Sequence, residues 1–149
     1  MRTIVVGVDG SPPSQEALRW ALAEARCHGS TVRAVHAWSL PYHQGEIGHM
    51  AVERLGEPLH QEAERTLETA LRAAMSGGDG VPIERLVVES PSARALIDAA
   101  ADADLLVVGS RGRGGFTGLM LGSTSQQCAQ HGPCPVVIVH AAPTAVDPP

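Results

Sequence analysis

The chain has 149 residues, 44% of them hydrophobic and 18% charged, with a formal net charge of -5. That length suits one globular domain, and no apolar run approaches the roughly 18 residues needed to cross a bilayer, so no membrane span is expected. The acidic balance argues against nucleic acid as a partner, because a phosphate backbone requires a basic face.

The chain opens directly into Thr3-Ile4-Val5-Val6 with no signal-peptide pattern before it, so the expected location is the cytosol. Residues 3–8 read as a first strand, continuous and apolar as befits a strand covered on both faces. It breaks at Asp9-Gly10. Ser11-Pro12-Pro13-Ser14 then offers capping hydroxyls and prolines suited to a first helical turn. The helix that follows carries Leu18, Ala21, Leu22 and Ala25 at helical spacing and stops at Gly29. Residues 31–38 form a second predicted strand. Residues 39–56, with Pro41, Gly45 and Gly48, read as an exposed loop or lid. A helix is expected over about 57–75, with Leu59, Ala63, Leu67, Ala70, Leu71 and Ala74 on one face, before a turn at 77–80.

A third strand is predicted at 83–88, followed by Ser90-Pro91 capping a helix with Ala93, Leu96, Ile97 and Ala100. Residues 105–108 make a fourth strand, about 123–130 a short helix, and 136–140 a fifth strand. The domain covers residues 1–141, and 142–149, rich in proline, read as a flexible tail. Strands alternating with helices predict an α/β fold, a doubly wound five-stranded parallel sheet with helices on both faces.

In such a sheet, ligands bind beyond the carboxyl ends of the strands, where the strand order reverses. Two strand ends here carry unusual residues. The first is Gly7-Val8-Asp9-Gly10. The second is Gly109-Ser110-Arg111-Gly112-Arg113-Gly114-Gly115, leading to Gly122-Ser123-Thr124-Ser125 at a helix start. Glycines let backbone N–H groups approach one phosphate, and a helix beginning at Ser123 adds its free N–H groups and dipole. Arg111 and Arg113 supply charge. All 11 basic residues are arginine and the chain contains no lysine, so any bound anion is held by backbone N–H groups, hydroxyls or arginine. A P-loop lysine, a Schiff base and a lysine general base are thereby excluded. The Asp9 carboxylate suits ribose hydroxyls, or a water of a Mg²⁺ ion.

Gly109-x2-Gly112-x9-Gly122-Ser123 resembles the G-x2-G-x9-G-[S/T] signature of ATP-binding universal stress proteins, without a spacing error. Ile4-Val5-Val6-Gly7-Val8-Asp9-Gly10-Ser11, Val35-His36-Ala37 and His131-Gly132-Pro133-Cys134-Pro135-Val136-Val137 are similar to the corresponding family segments. The resemblance implies strand order 3-2-1-4-5, which makes the ends of the first and fourth strands neighbours. It implies that Asp9 faces the ribose while Gly7, Val8 and the backbone at Ala37 line an adenine pocket. Gly109, Gly112 and Gly122 would shape the phosphate loop, with Ser123, Thr124 and Ser125 on the phosphates. Thr124 stands where valine is common in the family. The resemblance also implies a homodimer through the fifth strand, whose apolar edge at 136–140 needs a cover.

The function so implied is that of a nucleotide-dependent stress-response regulator. The alternative is a slow ATPase, or an autophosphorylating enzyme with Ser123 or Ser125 as acceptor. Phosphoryl transfer needs a positioned nucleophile, metal ligands and a group for the developing charge. Asp9 is the one acidic candidate, so binding is the favoured reading.

Outside this region little chemistry is indicated. The spacings of His43, His49 and His60 match no metal template. His36 reads as a hydrogen-bonded core residue, and Trp20 and Trp38 as packing residues, with Trp38 a possible border of the adenine pocket. Cys27, Cys128 and Cys134 form no Cys-x-x-Cys pair, and are expected as free, buried thiols.

Overall fold

The computed structural model of the chain describes residues 2–40, 46–75, 77, 80–111 and 121–141, with 46–53 described by backbone alone. Its elements are β1 (Thr3–Gly7), α1 (Pro12–His28), β2 (Thr31–Trp38), α2 (Glu46–Ala74), β3 (Ile83–Glu89), α3 (Ser92–Ala99), β4 (Leu105–Gly109), α4 (Ser123–His131) and β5 (Val136–Val139). The five strands pair in parallel in the order β3-β2-β1-β4-β5. This is the architecture expected from the sequence, including the reversal between β1 and β4.

Alternation along each strand divides the core in two. Ile4, Val6, Val32, Ala34 and Val107 face α1 and α2, where they meet Leu18, Leu22, Leu67 and Leu71. Val5, Val35, Leu106 and Val108 face α3 and α4, against Leu96, Ala100 and Cys128. Both faces are buried, so β1 and β4 are apolar throughout rather than alternating with polar residues. The outer strands differ: β3 and β5 are half-buried or exposed along their whole length.

Local signals set the boundaries of α1. Ser11 caps it by accepting from Ser14 N–H at 3.3 Å, with prolines in the first turn. At the other end Gly29 takes φ 64, and the N–H groups of Gly29 and Ser30 both bond back to the Ala25 carbonyl. That left-handed cap suits glycine because a Cβ is strained there.

One expected segment is corrected. Residues 46–56 are not an irregular loop: α2 begins at Glu46 and runs through Gly56 and Pro58. Proline removes its own N–H, and the carbonyl it would have bonded belongs to Arg54, an exposed residue that water can serve. Leu55 on this stretch is 45% exposed, so this leucine gives the extension no buried anchor. Residues 41–45, part of the turn at 77–80, and the tail at 142–149 lie outside the described residues.

The cysteines are free, yet only Cys128 is fully buried; Cys134 is half-buried and Cys27 is exposed near the end of α1. The expectation of buried thiols therefore fails for Cys27, which lies off the apolar stripe of its helix. Burial pushes the Cys128 thiol up to about 11 from 9.0. The folded chain holds this proton more tightly than the unfolded one, so the contribution is complete below pH 9 and is lost as pH rises towards 11. At about 1.4 kcal/mol for each pKa unit, the change is on the order of 2–3 kcal/mol. Urea midpoints between pH 8.5 and 11 should fall more steeply for the wild type than for Cys128→Ala.

Candidate functional site

The reversal of strand order leaves a cleft over the carboxyl ends of β1 and β4, on the face that carries α3 and α4. Its walls come from Gly7, Val8 and Asp9 after β1, Val35 and Ala37 of β2, and Val108, Gly109 and Arg111 after β4. Helix residues complete it: Ser14, Ser92, Leu96, Thr124 and Ser125. The space between them is about 500 Å³, counted with its solvent-filled mouth. One end is apolar, with Val35, Ala37 and Leu96; the other brings Arg111 beside the start of α4.

The β1 side is built by a short chain of hydrogen bonds. Asp9 Oδ1 accepts from Ser11 N–H at 2.8 Å, and Asp9 N–H donates to Ser14 Oγ at 3.2 Å. Gly10 between them takes φ 83. The carboxylate thus braces the turn that leads into α1, while its residue faces the cleft. Val8 is held twice, its N–H donating to Val35 O at 2.8 Å and its carbonyl lying 2.6 Å from His36 Nδ1. A carbonyl only accepts, so the His36 proton sits on Nδ1. His36 is therefore a hydrogen-bonded structural residue, on the face opposite the cleft. Trp38 shares that face, edge-on to His60 at 5.9 Å, and does not line the cleft.

The β4 side is closed by α4. Ser110 O accepts from Gly122 N–H at 2.7 Å, so the start of α4 is tied directly to the end of β4. The first bond within α4 is Gln126 N–H to Gly122 O at 3.0 Å, and Gly122 supplies no side-chain cap. The N–H groups of Ser123, Thr124 and Ser125 consequently have no acceptor in their own helix. In α1, by contrast, two first-turn positions are proline and Ser14 N–H is capped. Of these two helix starts, α4 is the one that leaves its first-turn N–H groups uncapped by a side chain.

Gly109 and Gly7 owe their identity to packing as well as to the cleft. A Cβ on Gly109 would stand 2.7 Å from Pro13 C and 2.8 Å from Ser14 N, so only glycine lets α1 start against the end of β4. A Cβ on Gly7 would meet a Leu96 methyl at 2.9 Å. Gly7, Val8, Asp9, Ala37, Gly109, Thr124 and Ser125, singled out in the sequence, come together here. Gly122 and Ser123 stand at the α4 start without lining the cleft; Gly112 and Arg113 lie outside the described residues. Sequence reasoning missed Leu96 and Ser14 as cleft residues, since they read as a helix core and a cap position, and it gave Ser92 no role. Among the described residues no cluster of metal-binding side chains occurs.

The profile of the Universal stress protein family matches residues 1–140. The chain belongs to the universal stress protein family. A universal stress protein of Mycobacterium tuberculosis is 38% identical over 136 residues, covering 91% of this chain and 44% of the relative, so the chain spans less than half that protein's length. Among solved structures, universal stress protein UspA from Lactobacillus plantarum superposes with a TM-score of 0.81 at 19% identity, over 93% of this chain and 97% of that one. A universal stress protein solved in complex with cAMP has a TM-score of 0.61 at 27% identity, over 95% and 98% of the two chains. No helix among the described residues is long and apolar enough to cross a membrane.

Proposed function

We propose that this universal stress protein holds ATP in the cleft, with Mg²⁺ near Asp9, and serves as a nucleotide-dependent regulator of the stress response. The observation that carries this reading is the uncapped start of α4 beside Arg111, facing Asp9 across the β1–β4 reversal. Backbone N–H groups and an arginine suit phosphates, and a carboxylate suits ribose hydroxyls or a metal-bound water. The apolar end, between Ala37 and Leu96, accommodates a base. A relative in complex with cAMP supports an adenine nucleotide as the ligand class. Regulation is favoured over catalysis because Asp9 already braces the α1 turn through its Oδ1. Two copies would pair through β5, whose four residues are all half-buried in one chain.

Calorimetry with ATP and Mg²⁺ on the wild type, Gly112→Val and Gly122→Val tests this, with released phosphate and light-scattering mass followed on the same samples. Micromolar-range binding lost in both variants, little phosphate, and twice the chain mass are expected. A correctly folded wild type that binds no adenine nucleotide would overturn the assignment; rapid phosphate release would favour the enzyme.

A further inference from the structure

β3 is the longer of the two edge strands, seven residues against four in β5, and each of its residues is half-buried or exposed. Its bonding to β2 shows which backbone groups face out. Val32 N–H donates to Pro82 O, and Ser90 N–H donates to Trp38 O. Successive residues of a parallel strand turn their N–H and C=O groups to opposite sides. Glu84, Leu86 and Val88 therefore bond β2, while Ile83, Arg85, Val87 and Glu89 face outward. Among the described residues no strand lies beyond β3, and its outward row contains no proline. Such a row is a template for another strand.

The side chains say which strand fits. On the face toward α2, Arg85 pairs with Glu68 and is still 46% exposed, and Glu89 on the same face is exposed. On the face toward α3, Leu86 is 37% exposed and Val88 is half-buried. Two copies of β3 laid antiparallel about a two-fold axis at Val87 put Arg85 of each opposite Glu89 of the other, and Leu86 opposite Val88. Opposite charges then meet on one face and apolar side chains on the other. Neighbouring registers lose this match. Centring on Arg85 sets two guanidinium groups together; centring on Leu86 sets Arg85 against Val87 and Glu84 against Val88; centring on Val88 sets Glu89 against Val87. In the Val87 register the opposed residues Arg85, Val87 and Glu89 are also those whose backbone groups face outward, so each opposed pair exchanges N–H···O bonds. A strand guarded by charge against its own copy would set like charges opposite each other.

We infer that β3 is a self-association edge, on which the β3 strand of a second copy pairs antiparallel about Val87. The nucleotide reading is not needed for this. β3 and β5 stand at opposite ends of the strand order, so pairing at both edges would join dimers into one longer sheet. A ladder over residues 85–89 is small, and small interfaces hold only at high concentration.

Light-scattering mass and amide hydrogen exchange, followed from micromolar to millimolar protein, test this on the wild type, Arg85→Glu, Glu89→Arg and the double variant. The wild-type mass should about double as concentration rises, with exchange slowing at the Arg85, Val87 and Glu89 amides but not at Leu86, whose amide already bonds β2. Each single variant sets like charges opposite and should raise the concentration needed about tenfold. The double variant exchanges the two charges and should restore the wild-type mass, an outcome that mere loss of the Arg85–Glu68 pair would not give. All three should melt close to the wild type when dilute, as surface changes do. A mass that stays constant with concentration overturns the inference. So does a rise that leaves β3 exchange unchanged, which would place association at β5 or elsewhere. Single variants that associate like the wild type, or a double variant that fails to recover, overturn the Val87 register and with it the pairing.

Discussion

Gly109→Ala is expected to destabilise the fold by about 3 kcal/mol, at the upper end of overpacking effects. The added methyl would lie 2.7 Å from Pro13 C and 2.8 Å from Ser14 N, both backbone atoms. A side-chain tip can rotate away from such a contact. A helix start anchored by its cap and by Asp9 cannot do so without moving the turn. The damage should therefore extend to the ligand: Ser14 Oγ holds Asp9 N–H, so displacing α1 displaces the carboxylate. Urea denaturation should show an earlier midpoint, and calorimetry a weakening of the nucleotide binding proposed above. Gly77→Ala is the matched control, since nothing lies within 4 Å of its added Cβ. If Gly109→Ala matches that control, α1 does not pack against β4 as described.

Leu96→Ala should cost about 2–4 kcal/mol, the range for emptying a leucine site in a packed core. Leu96 is 4% exposed, packs with Val5, Val35 and Leu106, and forms the cleft floor over Gly7. The close approach to Gly7 makes a second outcome measurable. Gly7→Ala alone places a Cβ 2.9 Å from a Leu96 methyl, which can shift, so a loss of about 1 kcal/mol is expected. With Leu96→Ala the methyl enters vacated space. The double variant should be more stable than the sum of the singles by about 1 kcal/mol, a coupling typical of residues in contact. Strict additivity would place the two residues out of contact.

Much of the fold was legible because its signals are local. The Ser11 cap, the two prolines and Gly29 define α1 through backbone geometry that neighbouring residues set themselves. The apolar runs of β1 and β4 reveal strands covered on both faces. The start of α2 was hidden for a matching reason: its glycines and Pro58 carry loop signals, and Leu55 beside them is exposed. At the cleft, Asp9 and the glycine spacing stood out as chemistry. Leu96 and Ser14 did not, since a leucine at helical spacing and a serine near a cap have ordinary explanations.

The sequence by itself determined the alternation of strands and helices, the exclusion of lysine chemistry, the parallel sheet, and the two strand ends worth watching. Each depends on residue type and short-range spacing. The tertiary structure decided what those residues do. It brought Gly109 against Pro13, nearly a hundred positions away, so that a presumed loop glycine became a packing requirement. It also left Ser123 exposed, put Thr124 on the cleft wall and tied the Ser125 hydroxyl to the Ser110 carbonyl at 3.0 Å. A helix turns about 100° per residue, so neighbours in sequence face different surroundings, and only the folded chain says which surroundings those are.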